Sequence, residues 1–148
     1  MLIPVPLLPR WLRYTAVGVV GAIIFYGSLV TVPETAIDDI NPSLVQLSHW
    51  RHLLAYLALA GTLAYATDHW DLPRWQHAVL VIALASGYGI LMETGQAFLP
   101  HRTPFLLTDV IVNTIGASGV LIWFAVRPSL DCRPVSSGLS ISTTDADK

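Results

Sequence analysis

Residues Glu93 to Gly119 read E-T-G-Q-A-F-L-P-H-R-T-P-F-L-L-T-D-V-I-V-N-T-I-G-A-S-G, and they join the last two of four apolar runs. Charged and amide side chains collect at this junction: Glu93, Gln96, Arg102, Asp109 and Asn113. A charge near the middle of a bilayer costs roughly 2.5 to 3.5 kcal/mol on insertion scales, so such groups persist where they face protein or water. This stretch is therefore our candidate site, and the apolar runs around it predict the fold.

The composition of the chain indicates a membrane protein. Of its 148 residues, 53% are hydrophobic and 12% are charged, and the mean hydropathy is +0.58, whereas soluble domains carry about 25% charged residues. A net charge of −2 leaves no basic face, so we expect no nucleic-acid partner. Cys132 is the single cysteine, and no His/Cys spacing suggests a metal or a cofactor, so we expect neither.

Four apolar runs predict four membrane helices. The first, Tyr14 to Val32, is long enough to span roughly 30 Å of hydrocarbon. A cleaved signal peptide is the alternative, although the run exceeds an h-region of about 7 to 15 residues and lacks an Ala-x-Ala-like end. The second run, Leu53 to Thr67, is short, so its helix is expected to begin near His49. The other runs are Trp75 to Met92 and Val110 to Val126.

These runs predict an all-α fold, an integral membrane four-helix bundle with short antiparallel connections. A lead-in over residues 1–10 precedes a transmembrane domain over 11–127, whose helices lie at about 12–32, 49–67, 75–98 and 108–126. Residues 128–148 are rich in Ser, Thr and Asp and are predicted to be disordered, because they offer little apolar surface to offset the entropy of ordering.

Basic residues predict the orientation in the membrane. With a cytoplasmic N-terminus, Arg51 and Arg102 lie outside, and six basic residues lie inside: Arg10, Arg13, Arg74, Arg127, Arg133 and Lys148. The positive-inside rule therefore favours a plasma-membrane protein with both termini in the cytoplasm. The junction from Glu93 to Asp109 then faces away from the cytoplasm.

Helical spacing places the polar side chains of three helices at one membrane level. Residues three or four apart share a helix face, and three helices carry such sets: His52 with Tyr56, Glu93 with Gln96, and Asp109 with Asn113 and Gly116. The small residues from Gly116 to Gly119 would let a neighbouring backbone come close. Arg102, in the loop between the last two helices, could pair with Glu93 or Asp109.

At these residues the chain resembles the VanZ-like family of small integral membrane proteins. The family pattern is Asp-Lys, His and an aromatic residue, then E-x-x-Q, Pro-x-Arg, and Asp, Asn and Gly. The matching residues are His52, Tyr56, Glu93, Gln96, Pro100, Arg102, Asp109, Asn113 and Gly116. Ser48 and His49 stand where the family has Asp-Lys. The resemblance covers roughly residues 45 to 122, and it implies a protein of the cell envelope with no established reaction for most members.

The same residues also have purely structural explanations. These are helix capping at Thr108 and Asp109 with a favourable dipole interaction, interhelical hydrogen bonding by Asn113, an ion-pair network of Glu93, Gln96 and Arg102, an interfacial hydrogen bond at His52, and packing at Tyr56. A structural role and a binding role therefore both stay open for each residue.

Three functions remain open on the sequence alone. The favoured one is a non-enzymatic envelope protein whose outward pocket binds an anionic or amphipathic ligand, such as a lipid headgroup or envelope precursor, through Arg102 and neighbouring amides. The second is an intramembrane enzyme with Glu93 or Asp109 as acid or base and His52 as partner. The third is a small transporter subunit, which would need polar groups deeper in the bilayer. Membrane lipids are expected partners in each case.

Overall fold

The structure, a computed structural model, describes residues 3–30, 47–99 and 105–134. Its elements, in chain order, are β1 (Ile3–Leu7), α1 (Arg10–Phe25), α2 (Leu47–Ala66), α3 (Arg74–Ala97), α4 (Leu107–Ser118), α5 (Leu121–Val126) and β2 (Leu130–Pro134). A π-helical segment, Tyr26–Val30, extends α1, and a 3-10 turn, Arg127–Ser129, follows α5. The described residues are mostly helical, which confirms the helical part of the predicted fold. Because α4 and α5 form one nearly continuous helix, the number of helices in the described chain is four, as predicted.

Contacts at both ends of the helices show that consecutive helices such as α1 and α2 run antiparallel, whereas α2 and α4 run parallel to each other. Helix α2 packs against α1, α3 and α4 and is the central element. Near the start of α1, the Arg13 guanidinium donates a hydrogen bond to the carbonyl of Tyr65, close to the end of α2. Near the start of α2, His52 meets Asn113 of α4. Tyr88 of α3 donates to the carbonyl of Gly21 and so ties α3 to α1.

Small side chains allow the helices to approach closely. Ala60, Ala64, Ala85 and Ala117 are completely buried in the core. A Cβ at Gly116 would clash with the backbone carbonyl of Leu53, so α2 and α4 reach this separation only because the residue is glycine. The close approach expected near Gly116 therefore occurs, and it sets the distance between the polar stripes of the two helices.

Three helical segments of the described chain are long and apolar enough to cross a membrane: Arg10–Val30, Arg74–Ala97 and Leu107–Ser129. Four spanning helices were predicted. Helix α2 has 20 residues, but its first turns carry His49, Arg51 and His52, so its apolar part is shorter than its length. The expectation of four helices therefore holds, and a spanning composition is found in three of them.

The two strands depart from the prediction of disorder beyond Pro128. β1 and β2 form a parallel pair in which Ile3 lies opposite Leu130. A two-stranded sheet has only edges, where Pro4 and Pro6 are tolerated although they lack an N–H donor. The composition of this segment did not reveal the pairing because backbone hydrogen bonds form it, whereas the prediction rested on apolar content. Residues 135–148 of the predicted disordered tail lie outside the described residues.

Candidate functional site

Polar residues of α2, α3 and α4 meet at one end of the bundle. His52, Glu93 and Asp109 each offer one nitrogen or oxygen atom, and these atoms all lie within 4.8 Å of one another. We refer to these three residues as the carboxylate cluster. Each comes from a different helix, so the bundle itself holds them together, as the helical spacing predicted.

His52 is oriented by an amide on the neighbouring helix. Its Nδ1 lies 2.9 Å from Oδ1 of Asn113. Because an amide oxygen only accepts, Nδ1 carries the proton and the lone pair of the neutral ring is on Nε2. Asn113 is 1% exposed, and its Nδ2 has no hydrogen-bond partner among the described residues. The interhelical hydrogen bond considered for Asn113 therefore exists, and Nδ2 of the same amide is a buried donor that this bond does not use.

Glu93 is the deepest charged group of the cluster. Its side chain is 1% exposed, and its carboxylate accepts a hydrogen bond from the backbone N–H of Leu106. The second oxygen, Oε2, is buried and has no hydrogen-bond partner among the described residues. A buried acceptor without a partner costs about 1 to 3 kcal/mol, and more when it is charged. Glu93 therefore has an unused hydrogen-bond acceptor in the same group as the carboxylate of Asp109.

The cluster has an accessible side formed by His49 and Asp109. Nε2 of His49 lies 3.7 Å from Oδ1 of Asp109, and their side chains are 24% and 16% exposed. Sequence reasoning noted His49 only as a replacement in the family pattern and did not choose it as a site residue. The available signal was its spacing, because His49 and His52 are three residues apart and share a helix face.

The remaining predicted residues surround the cluster. Tyr56 and Gln96 are buried, and Gly116 packs against Leu53. Gly89, which sequence reasoning missed, leaves room for the site, since a Cβ there would lie 3.1 Å from Nδ2 of Asn113. Its role depends on what lies opposite it, and nothing in the sequence pattern indicates that.

Two of the predicted site residues, Arg102 and Asp109, remain to be described. Arg102 lies outside the described residues, so its pairing with either carboxylate stays a prediction. Asp109 lies in the first turn of α4, where a negative charge interacts favourably with the helix dipole. The predicted capping is wrong, because α4 already begins at Leu107 and no side chain of the described residues caps it, and the dipole interaction stays as the structural explanation beside the binding one.

A second polar group lies at the opposite end of the bundle. Nε and Nη2 of Arg127 donate to the two carboxylate oxygens of Asp68 at 2.6 and 2.8 Å. Nη1 of Arg13 donates to the Tyr65 carbonyl at 2.9 Å, and its guanidinium carbon lies 5.7 Å from the centre of the Tyr65 ring. We call Arg13, Asp68 and Arg127 the arginine cluster. Each of its charged side chains contacts a described partner, although Nε of Arg13 is buried without a hydrogen bond to any described residue.

Comparison with known proteins adds no identification: no family model, no curated protein and no solved structure matches the chain. The VanZ-like resemblance therefore rests on the motif residues alone. The fold establishes a mostly helical chain with three candidate membrane spans.

Proposed function

We propose that this chain is a multi-pass protein of the plasma membrane that binds the polar headgroup of an amphipathic ligand at the carboxylate cluster and catalyses no reaction on it. One observation carries the proposal. Glu93 and Asn113 are both 1% exposed, and each holds a buried polar atom that no described residue satisfies. A VanZ-like envelope protein is the class that the motif residues favour.

The outer surface of the helices supports a membrane location. Ile23, Leu91 and Ile122 lie on three different helical segments and are 66%, 60% and 71% exposed. Large exposed apolar patches are uncommon on soluble monomers and mark surfaces that something else covers. Lipid chains would cover them here.

The distribution of basic residues supports the orientation. Arg13 and Arg127 belong to the arginine cluster, while the carboxylate cluster lies at the other end of the bundle. By the positive-inside rule the arginine end faces the cytoplasm. The carboxylate cluster then opens on the extracytoplasmic side, where envelope lipids and lipid-linked precursors occur.

The unsatisfied atoms specify the chemistry of the ligand. Oε2 of Glu93 needs a donor or a positive charge, and Nδ2 of Asn113 needs an acceptor. A headgroup with hydroxyl or ammonium groups offers donors for Glu93 and Asp109 together with an acceptor for Asn113. An anionic group on the same ligand depends on Arg102, which was its predicted partner.

Copurification from native membranes tests the binding proposal. The full chain is extracted into nanodiscs, and its bound small molecules are identified by native mass spectrometry. Glu93→Gln and Asp109→Asn are expected to lose the bound ligand while keeping wild-type abundance. Asp71→Asn, which removes an exposed carboxylate at the other end, serves as the matched control and should retain the ligand. Equal retention by all variants would contradict the proposal.

An intramembrane enzyme is the second candidate, favoured by the 4.8 Å grouping of two carboxylates and an imidazole. This arrangement suits acid and base catalysis. The two candidates differ in one measurement. Under the enzymatic alternative the wild-type protein releases a chemically altered ligand, and Glu93→Gln retains the ligand unaltered. Under the binding proposal the wild-type ligand leaves unchanged.

Thiol labelling tests the orientation. Burial raises the pKa of the Cys132 thiol above its ordinary value, and the thiolate is the reactive form, so labelling is done at mildly alkaline pH. Cys132 should resist a membrane-impermeant reagent on intact cells and react after permeabilisation. A Leu107→Cys variant in a Cys132→Ser background places an exposed thiol at the opposite end, and it should react on intact cells. The reverse pattern would invert the topology.

A further inference from the structure

We propose that His52, Glu93 and Asp109 form a binding site for a divalent first-row transition cation, with His49 within reach as a fourth ligand. The inference rests on the proposed function, since it specifies what the same cluster binds most directly. The cation would neutralise the two carboxylates and anchor the headgroup of the larger ligand.

The residue types and their spacing suit such a cation. Imidazole nitrogens and carboxylate oxygens are the ligands of zinc and of neighbouring first-row metals. The three candidate atoms lie within 4.8 Å of one another. Metal–ligand distances of about 2.0 to 2.2 Å place tetrahedral ligand atoms ~3.4 Å apart. Small side-chain rotations are therefore enough to close the site, without any movement of the three helices.

Asn113 provides the supporting hydrogen bond that metal-binding histidines require. Histidine ligands almost always donate their other ring N–H to an oxygen, which fixes the tautomer and the ring orientation. His52 does so from Nδ1 to Oδ1 of Asn113 at 2.9 Å, and Nε2 keeps its lone pair for the cation. Asn113 is itself 1% exposed and packs against Gly89, so the hydrogen bond that orients the ring lies in the packed interior.

The charge balance of the cluster is an independent argument. Glu93 is 1% exposed and keeps an unpartnered oxygen in the group that includes Asp109. Two neighbouring carboxylates in a poorly solvated site repel each other unless a proton or a cation lies between them. Asp68, by contrast, receives hydrogen bonds from Nε and Nη2 of the Arg127 guanidinium. A divalent cation would supply the carboxylate cluster with the positive charge that Arg127 supplies to Asp68.

The exposure of the ligands provides an entry path. Glu93 lies at the bottom of the site, whereas Asp109 and His49 are 16% and 24% exposed at its mouth. A cation can first bind Asp109 and His49 and then reach Glu93. This graded exposure also leaves a coordination position on the open side for water or for a headgroup oxygen.

Cobalt binding is the direct test. The purified full chain in nanodiscs is treated with a chelator, dialysed and titrated with Co²⁺, whose visible absorption reports nitrogen and oxygen coordination. The expected result is saturable binding of about one ion per chain, displaced by Zn²⁺, as for a site with a single set of ligands. His52→Gln and Glu93→Gln should abolish it. His69→Gln, which changes an exposed histidine at the opposite end, is the matched control and should bind as the wild type does.

Asn113 distinguishes a supported metal ligand from a fortuitous cluster. Loss of such a supporting hydrogen bond lowers metal affinity by about 10- to 100-fold, so Asn113→Ala should weaken Co²⁺ binding by that factor. Asn113→Asp retains an acceptor oxygen and should recover most of the affinity. A merely structural asparagine would give equal affinity in both variants.

The outcomes separate this inference from the proposed function. Absence of saturable Co²⁺ binding by the wild type, or equal binding by Glu93→Gln and His52→Gln, overturns the cation site. If the variants fail to fold, Co²⁺ should still raise the melting temperature of the chelator-treated wild type, and no rise would overturn the site as well. If the chelated wild type keeps its copurified amphiphile, the binding proposal stands and the cation site alone fails.

Discussion

The two ends of the bundle differ in how they pair opposite charges, although each holds a buried polar atom without a hydrogen-bond partner among the described residues, Nε of Arg13 at one end and Oε2 of Glu93 at the other. At the arginine cluster, Asp68 receives two hydrogen bonds from Arg127, and Arg13 reaches a backbone carbonyl and an aromatic ring. At the carboxylate cluster, Glu93 and Asp109 lie near each other, and their contacts among the described residues are histidines and one backbone N–H.

This difference indicates which end is structural and which is available for binding. A paired charge stabilises the fold and has little left to offer a ligand, whereas unsatisfied groups cost stability and persist where they serve a function. The arginine cluster therefore holds the helix ends near Tyr65, Asp68 and Leu130 in place. At the carboxylate cluster, a ligand that pairs with the unsatisfied groups would stabilise the protein.

The largest expected effect is steric and concerns the support of the carboxylate cluster. Gly116→Val should lower the free energy of unfolding by about 3 kcal/mol, because its side chain would collide with the Leu53 carbonyl and push α2 away from α4. Unfolding in detergent micelles, followed by circular dichroism, measures it. Gly87→Ala is the control: nothing lies within 4 Å of its added Cβ, and Gly→Ala in a helix gains about 0.5 to 1 kcal/mol. Wild-type stability of Gly116→Val would argue against the close helix contact.

The next effect tests the arginine cluster. Asp68→Asn removes the charge that pairs with Arg127, whose side chain is 28% exposed while that of Asp68 is 9% exposed. Hydrogen bonds to charged groups contribute about 1.5 to 3 kcal/mol, and partial exposure of Arg127 reduces this, so a loss of about 1.5 kcal/mol is expected. Asp71→Asn should leave the same unfolding curve unchanged. Equal behaviour of the two variants would mean that the Asp68–Arg127 pair does not stabilise the fold.

A smaller loss is expected from a buried hydroxyl near the same end. The Thr67 hydroxyl donates to the Leu63 carbonyl and accepts from Nε2 of His77, both at 2.7 Å. Thr67→Val would leave His77 without that acceptor and should cost about 1 kcal/mol. Thr62→Val removes hydroxyl contacts within its own helix only, and it should cost less. A cost for Thr62→Val as large as that for Thr67→Val would assign the loss to the helix and not to His77.

The smallest effect has the opposite sign and separates the two ends most clearly. In chelator, Glu93→Gln should leave the free energy of unfolding unchanged or raise it by up to about 1 kcal/mol, because it removes a buried charge from beside Asp109. The same unfolding assay as for Asp68→Asn gives the comparison. A loss equal to that of Asp68→Asn would identify the carboxylate cluster as a structural network of the kind considered for Glu93, Gln96 and Arg102.

The sequence was most informative where helical geometry applies. The spacing of His52, Glu93 and Asp109 relative to their neighbours placed each on a defined helix face, and alternating helix directions brought those faces to one end. Gly116 indicated the close contact because small residues permit it. Helical periodicity and the alternating helix directions are therefore enough to predict that these three residues lie together.

Other features could not be anticipated from the same patterns. The contact between His49 and Asp109 depends on side-chain reach across two helices, and the role of Gly89 depends on Asn113 lying opposite it. The strand pair depends on backbone hydrogen bonding, which side-chain hydropathy does not indicate. Helix α2 has the length of a spanning segment without its composition, because polar side chains occupy its beginning.

The parallel pairing of β1 with β2 has a consequence for the order of assembly. β1 and β2 are more than a hundred residues apart in the chain, so β2 is synthesised only after all the helices that separate them. Before Leu130–Pro134 is made, the Tyr65 hydroxyl can already hold this segment, because it donates to the Pro6 carbonyl and accepts from the Leu8 N–H. The strand pair can therefore form only after these helices have been synthesised, and it adds a late attachment to the one that Arg13 and Tyr65 already provide at the start of α1.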